Sequence, residues 1–382
     1  MSSTALPTPE IAASLRVIAA RDESQLQGFG LQWDALAGDV PFRSWTWTQT
    51  WWQHYREPRG RLLTLLVFDD QNELVGIAPW YVTQSPGQGR VVRFLGSGEV
   101  CSDYLTLLAR PELTAAVAKR VGDWLANEGA TEWDLLELSG VEEGDPAIRS
   151  LALRLNDHGH VVDRGADMRC WRTALANDWE GFLAMLTKSR RTRTKTLLRR
   201  TMMADRAVVH RVKNSRDLDR AFEIFIDLHQ KRRRSLSQTG CFASKRFGRF
   251  HREVAGRLLE EGRLRMLWIE LDGRPMSVEY SFVGGDTIFY YQGGFEPEFA
   301  SESPGWVGLA ASLKLAIEEG YRSWDFLRGD ESYKTSWRAE PRPLVRVRVV
   351  GAQRSARIRF ATWRACEGAK HWVRRLVSRT KG

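Results

Sequence analysis

Hydrophobic and polar positions alternate along this chain in two successive runs of similar design. From Ser24 to Tyr55 the apolar positions follow helical spacing, and Trp33, Leu36, Phe42, Trp45, Trp51 and Trp52 form one aromatic-rich cluster. Strands are predicted at about 62–68 and 74–83, joined by Asp69-Asp70-Gln71-Asn72, and at about 91–95 after a Pro-Gly turn. Asp103 to Leu108 reads as a further strand, followed by a helix at about 112–128, a strand at 134–139, a helix from Asp145 to His158 and a crossing segment from Val161 to Leu175. Residues 1–15 are expected to be loose. The second run opens on a dense basic helix, Lys188 to Arg200, and continues with helices from Leu218 to His229 and from Phe247 to Glu260. Strands follow at about 264–271, 275–283 and 287–292, then a long amphipathic helix, a strand at Trp324–Leu327 and a last strand at Leu344–Val350.

Two short echoes tie the runs together. Glu128-Gly129 through Trp133-Asp134 to Leu136 matches Glu319-Gly320 through Trp324-Asp325 to Leu327, and the strand pair from Leu65 to Tyr81 reads like that from Leu267 to Tyr280. Helices followed by a strand meander and a helix–strand unit, built twice, predict an α/β class with a mixed sheet. The expected domains are 16–175, 176–350 and a tail, 351–382.

Composition narrows the function. The four cysteines, Cys101, Cys170, Cys241 and Cys366, stand far apart and fit a reducing compartment; neither a zinc site nor a disulfide framework is expected. The seven histidines show no ligand spacing, so no metal is implied. The N-terminus has neither the basic nor the apolar region of a secretory signal, and no apolar run approaches the roughly 20 residues that span a bilayer. A cytoplasmic protein is expected. The net charge of +10 resembles a nucleic-acid signature until its position is considered. From Arg342 onward there are twelve basic residues against one acid, Glu367, so the body is close to neutral and the tail carries the excess. That disfavours a protein-wide phosphate-binding surface. The tail is amphipathic, with Ile358, Ala365, Ala369, Trp372, Val373 and Leu376 opposite Arg357, Arg364, Lys370 and Arg375. It suits either an anionic membrane surface, as a peripheral contact at the inner face, or packing on the second domain.

The chemistry concentrates in residues 287–337. An apolar strand runs into a polar loop ending Ser303-Pro304-Gly305, a helix follows, and a second strand delivers the polar cluster Arg328 to Lys334. A strand, a glycine turn and a helix N-terminus expose unpaired N–H groups at a positive dipole end, which suits a pyrophosphate. A plain Ser-Pro helix start is the competing reading.

The order strand, glycine loop, helix, strand resembles the pyrophosphate-binding core of the GNAT superfamily of acyl-CoA N-acyltransferases. Gly294-Phe295-Glu296-Pro297, Ser303-Pro304-Gly305, Asp325 to Glu331 and Tyr333-Lys334 with Trp337 resemble in particular the CelD/BcsL-type acetyltransferases associated with cellulose and exopolysaccharide production. Pro41-Phe42-Arg43-Ser44-Trp45 and Trp51-Trp52 also fit that branch, as does the basic stretch from Lys188. The resemblance covers about residues 25–350. It implies tandem GNAT-like domains of the Fem type, with acetyl-CoA or another acyl-CoA as co-substrate on the second. The superfamily loop is usually richer in glycine; here it holds only Gly305 and Gly308.

On that reading Gln292, Gly293, Ser303, Gly305, Trp306, Gly308 and Arg328 are the candidate cofactor residues. Tyr333 is a candidate acid for the departing thiolate, against a packed aromatic. Lys334 is a candidate oxyanion or phosphate ligand, against a solvated lysine. The base is sought between Glu279, which shares a strand face with Ser277 and Ser281, and Asp325, whose echo in Asp134 points to a structural role; Asp330 and Glu331 follow. The basic helix from Lys188 has four readings: a 3′-phosphate, an anionic acceptor, RNA or solvent.

The implied activity is acyl transfer to a sugar, polysaccharide precursor or other small amine or hydroxyl, by direct attack on the thioester. Two alternatives stand: an aminoacyl-tRNA donor, as in the Fem transferases, and a non-catalytic scaffold for glycan assembly at the membrane surface.

Overall fold

The computed structural model describes residues 15–202 and 206–379, and the side chains of those up to 366. The expectation for residues 1–14 lies outside what is described, as do the side chains of the tail positions from Ala369 onward.

In chain order the elements are β1 (Arg16–Ala20), α1 (Gly30–Ala37), α2 (Trp45–Tyr55), β2 (Arg61–Leu62), β3 (Thr64–Phe68), β4 (Leu74–Ala78), β5 (Trp80–Ser85), β6 (Gly89–Phe94), β7 (Leu108–Ala109), α3 (Thr114–Ala126), β8 (Leu135–Glu142), α4 (Pro146–Asp157) and β9 (Val161–Ala174). The second run comprises α5 (Trp179–Met185), α6 (Lys188–Met202), β10 (Ala207–Arg211), α7 (Ser215–Ser235), α8 (Lys245–Glu260), β11 (Leu264–Leu271), β12 (Arg274–Gly284), β13 (Thr287–Phe295), α9 (Pro304–Glu318), β14 (Ser323–Arg328), α10 (Tyr333–Ser336), β15 (Glu340–Val350) and α11 (Arg354–Arg379).

Eleven strands form one mixed sheet in the order β10-β11-β12-β13-β14-β9-β15-β8-β6-β5-β2, and β1-β3-β4-β7 form a smaller antiparallel sheet. Two strands expected from the pattern are each split between these sheets. The first breaks at Leu63 and the second at Pro79, which cannot donate to a ladder. Of the strand expected at Asp103–Leu108 only Leu108–Ala109 pairs; Cys101 and Tyr104 have positive φ (49° and 61°) and bend the rest into a loop.

Each run contains one parallel pair, β6 with β8 and β13 with β14, joined by an amphipathic helix that precedes the echoed glycine. The final strands are exchanged. β9, from the first run, pairs with β14, and β15, from the second, pairs with β8, with β9 and β15 side by side between them. The sheet therefore does not divide near residue 175.

Helices cover both faces of the second run: α7 and α8 on one, α6 and α9 on the other. β11 is accordingly buried at seven of its eight positions. The aromatic segment predicted near the N-terminus packs across the two runs. Phe42 and Trp47 make edge contacts with Phe282, Phe289 and Phe250 at 5.1–6.1 Å, and Tyr291 donates to Val100 O (2.7 Å). Ala356 and Phe360 at the start of α11 bury against Val91, Leu135 and Val350. This part of the tail packs on strands of both runs, while Ile358 of the expected apolar stripe is exposed. No helix among the described residues is long and apolar enough to cross a membrane.

Candidate active site

β13 and β14 pair only at Thr287–Phe289 with Ser323–Asp325, and β13 then runs on to Phe295 without β14 beside it. Main-chain groups along that edge face a gap, and α9 begins across it. Ser303 adopts a left-handed conformation (φ 55°, ψ 54°), and its carbonyl accepts from both Trp306 N (2.9 Å) and Val307 N (3.0 Å). Pro304 has no N–H, and Gly305 N–H has no hydrogen-bond partner among the described residues. The helix thus presents a free donor at its positive end, without a side-chain cap. A cavity of about 580 Å³ occupies the gap, bounded by Gln292, Gly293, Ser303, Gly305, Trp306, Gly308, Glu279 and Tyr333 from the sequence-derived set.

The walls differ in chemistry. Glu279 projects from β12 and is buried, which pushes its carboxyl up to about 7, opposed by a Ser312 hydrogen bond and the Arg265 charge. Its Oε2 and the hydroxyls of Ser277 and Ser281 have no protein partner among the described residues. Gly308 allows α9 to approach: a Cβ there would stand 2.7 Å from Ser277 Oγ and 3.5 Å from Glu279 Oε1. Gly308 therefore acts by close packing beside the carboxyl. Tyr333 packs edge-on to Phe326 (5.9 Å), and burial raises its hydroxyl pKa, keeping the phenol protonated.

Cations line the helix-terminus side. Arg193 of α6 donates to Ser303 Oγ (3.4 Å) and lies 4.7 Å from the Trp306 ring centroid, with Arg190 at 5.4 Å. Trp306 itself stacks on Trp337 (4.5 Å) and donates to Thr194 Oγ1 (3.1 Å). Arg232 of α7 sits 4.1 Å from the Phe295 ring and also lines the cavity. The basic helix from Lys188 is thus partly turned to the cavity rather than wholly to solvent.

Three sequence candidates stand elsewhere. Asp325 is buried and accepts from Tyr104 Oη (2.7 Å), Arg172 Nε (2.8 Å) and Leu327 N (2.7 Å). Arg328, a candidate cofactor ligand, pairs with Asp103 (2.6 Å) and donates to Ser102 O (3.0 Å). Lys334 is 1% exposed, and its ammonium donates to the carbonyls of Leu327 (3.1 Å), Arg328 (2.9 Å) and Gly329 (2.8 Å). Their polar atoms tie the loop after β14 to itself and to the first run. Asp134, the echo of Asp325, likewise accepts from Arg90 N (2.8 Å) and Arg90 Nε (3.0 Å). Asp330 is exposed and pairs with Arg169 (3.0 Å), whereas Glu331 reaches the cavity.

Tyr290, Arg232 and Arg233 are cavity residues that periodicity did not single out. Strict alternation puts Tyr290 on the face of Gln292. A bulge at Tyr291 places it instead on the face of Gly293, where a Cβ would lie 2.3 Å from the Tyr290 hydroxyl.

Residues 188–335 match the family model described as Acetyltransferase (GNAT) domain. The match lies within the second run, which also holds the splayed parallel pair and the helix N-terminus across its gap. Solved structures similar in fold include FemX, at 12% identity and a TM-score of 0.61, covering 83% of this chain and 95% of that one. A conserved protein of unknown function from Bacteroides thetaiotaomicron aligns at 11% identity and a TM-score of 0.54, over 88% of this chain and 100% of that one. L-PGS from Bacillus licheniformis aligns at 11% and 0.52, over 90% and 96%. No curated protein matches the chain by sequence.

Proposed function

We propose that the chain transfers an acyl group, acetyl in the simplest case, from acyl-CoA to an amine or hydroxyl of a sugar, polysaccharide precursor or similar small acceptor. The observation that carries this reading is the free Gly305 N–H, with Arg193 beside it, opening on the same cavity as the buried Glu279 carboxyl. The helix terminus and Arg193 would hold the pyrophosphate, and the unpaired edge of β13 would hydrogen-bond the thioester arm. Glu279 takes the acceptor's proton as the carbonyl carbon is attacked, and Tyr333 returns a proton to the departing thiolate. The glycan-type acceptor follows from the likeness of residues 294–337 to the CelD/BcsL branch. The first run, 16–175, serves as a cofactor-free partner to 176–350, and the basic α11 is available for peripheral contact with an inner membrane face.

Calorimetry with coenzyme A tests this. Gly305→Trp puts a large ring where a Cβ already meets Phe295 at 3.1 Å, so affinity should fall by at least about tenfold, or 1.4 kcal/mol. Wild-type protein that does not bind coenzyme A would sink the reading.

A second reading, with an aminoacyl-tRNA as donor, is favoured by Arg190 and Arg193 of α6 at the cavity rim. It expects RNA affinity to drop steeply with salt, because each phosphate contact releases counterions. Flat salt dependence, or no RNA binding, removes it.

A further inference from the structure

On the face of β13 opposite Glu279, a thiol, an imidazole and an amide form a cluster that the scheme above does not use. His229, near the C-terminal end of α7, is 1% exposed. Its Nδ1 lies 3.2 Å from Gln230 Oε1, and the other end of that amide is fixed by Gln230 Nε2 donating to Thr239 O (3.0 Å). The amide therefore offers its oxygen to the ring, so Nδ1 carries the hydrogen and Nε2 the lone pair. Two donors agree with that tautomer: Gln292 Nε2 is 3.3 Å and Arg233 Nε 3.5 Å from Nε2. The same Nε2 faces Cys241 Sγ at 3.6 Å. Burial holds the imidazole neutral, with its pKa lowered to about 4, and the thiol protonated, with its pKa raised to about 11. Gly240 (φ 74°) makes the arrangement possible, since a Cβ there would stand 2.1 Å from Gln230 Oε1.

A nucleophile within reach of a base, with the base oriented by a third group, is the geometry of nucleophilic catalysis. Its position gives it a substrate. Gln292 and Arg233 both line the 580 Å³ cavity, and Gln292 Nε2 is 3.9 Å from Cys241 Sγ, so the thiol stands one side chain away from the cavity. Arg233 supplies positive charge beside it, which favours a developing thiolate.

We propose that Cys241 receives the acyl group before the acceptor does. This rests on the acyl-CoA reading and adds a covalent step to it. His229 Nε2 takes the thiol proton as Sγ attacks the thioester carbon. The bond from that carbon to the coenzyme sulfur breaks, and the departing thiolate takes a proton, regenerating neutral His229. One thioester is exchanged for another, with no oxidant or reductant. The acceptor then attacks the acyl-cysteine; the bond from the acyl carbon to Sγ breaks, and His229 Nε2 takes the acceptor's proton and passes it to Sγ, so that Cys241 leaves as the thiol.

The test is a pulse of acetyl-CoA on the full chain without acceptor, followed by intact mass measurement, peptide mapping and hydroxylamine treatment. One hydroxylamine-labile acetyl group per chain is expected on the Cys241 peptide, in step with release of free coenzyme A. In Cys241→Ala this adduct disappears while coenzyme A binding by calorimetry persists. Gln230→Ala, which frees the imidazole to turn, should slow acylation by roughly tenfold or more within the range of general-base effects. Cys101 and Cys366, both exposed, serve as internal controls for spontaneous acetylation. Coenzyme A binding without a Cys241 adduct, or adduct spread equally over the exposed cysteines, overturns this step alone. Absence of coenzyme A binding overturns the acyl-CoA reading, and this inference with it.

Discussion

Glu279→Gln is expected to reduce acyl transfer by about 10²–10⁴-fold, the usual span for a lost general base, and to make the protein more stable above neutral pH. Both effects come from burial of one carboxyl. Its pKa rises from a reference of 4.5 to about 7, and desolvation is the leading cause. Between those values the folded chain holds more protons than the unfolded one, so stability falls as pH rises from 4.5 and stops falling above about 7. Ionised Glu279 thus costs the fold roughly 3 kcal/mol at pH 8, by the linkage of about 1.4 kcal/mol per pKa unit. Glutamine keeps the shape without ionising. The variant should melt higher than wild type at pH 8 and close to it at pH 5, and wild-type transfer should rise with pH through about 7. Equal melting differences at both pH values, together with unchanged transfer, would remove Glu279 from the chemistry.

The same carboxyl shows how far the sequence could be read. Alternation along Ser277-Val278-Glu279-Tyr280-Ser281 put Glu279 on a polar face, and the turn before Trp306 marked a helix start; both lie at the cavity. These are local properties of a strand and a cap, and period and turn chemistry encode them. What escaped depends on partners distant in sequence. The bulge at Tyr291 exists because β13 is registered against β12, and it turns Tyr290 to the cavity side. The exchange of β9 and β15 requires both runs to be folded, and no periodicity within either strand reports it. Lys334 reads as a surface lysine until the loop after β14 curls three carbonyls around it. Cys241 and His229 carry no motif spacing; the turn through Gly240 brings them together.

Asp325→Ala is expected to destabilise the fold by about 3 kcal/mol, the low end for breaking a buried pair, because the Arg172 side chain left behind is 26% exposed. Removing this carboxylate strands the Arg172 guanidinium, which also lies over the Tyr104 ring at 5.5 Å, and deprives the Tyr104 hydroxyl and Leu327 N–H of their acceptor. Because Tyr104 and Arg172 come from the first run and Asp325 from the second, the loss falls on the joint between the runs. The neighbouring Arg328–Asp103 pair crosses the same joint. Coenzyme A binding by the fraction that remains folded at low temperature should be close to wild type, since the Asp325 side chain is not part of the cavity wall. Replacing both ends of the pair, Arg172→Met with Asp325→Leu, should recover part of the loss, because two apolar side chains leave no unpaired charge in the joint. Urea unfolding of the two variants beside wild type measures this. An Asp325→Ala protein with wild-type stability but abolished transfer would return this carboxylate to the list of catalytic groups and separate the joint from the exchange of β9 and β15 as the feature that holds the runs together.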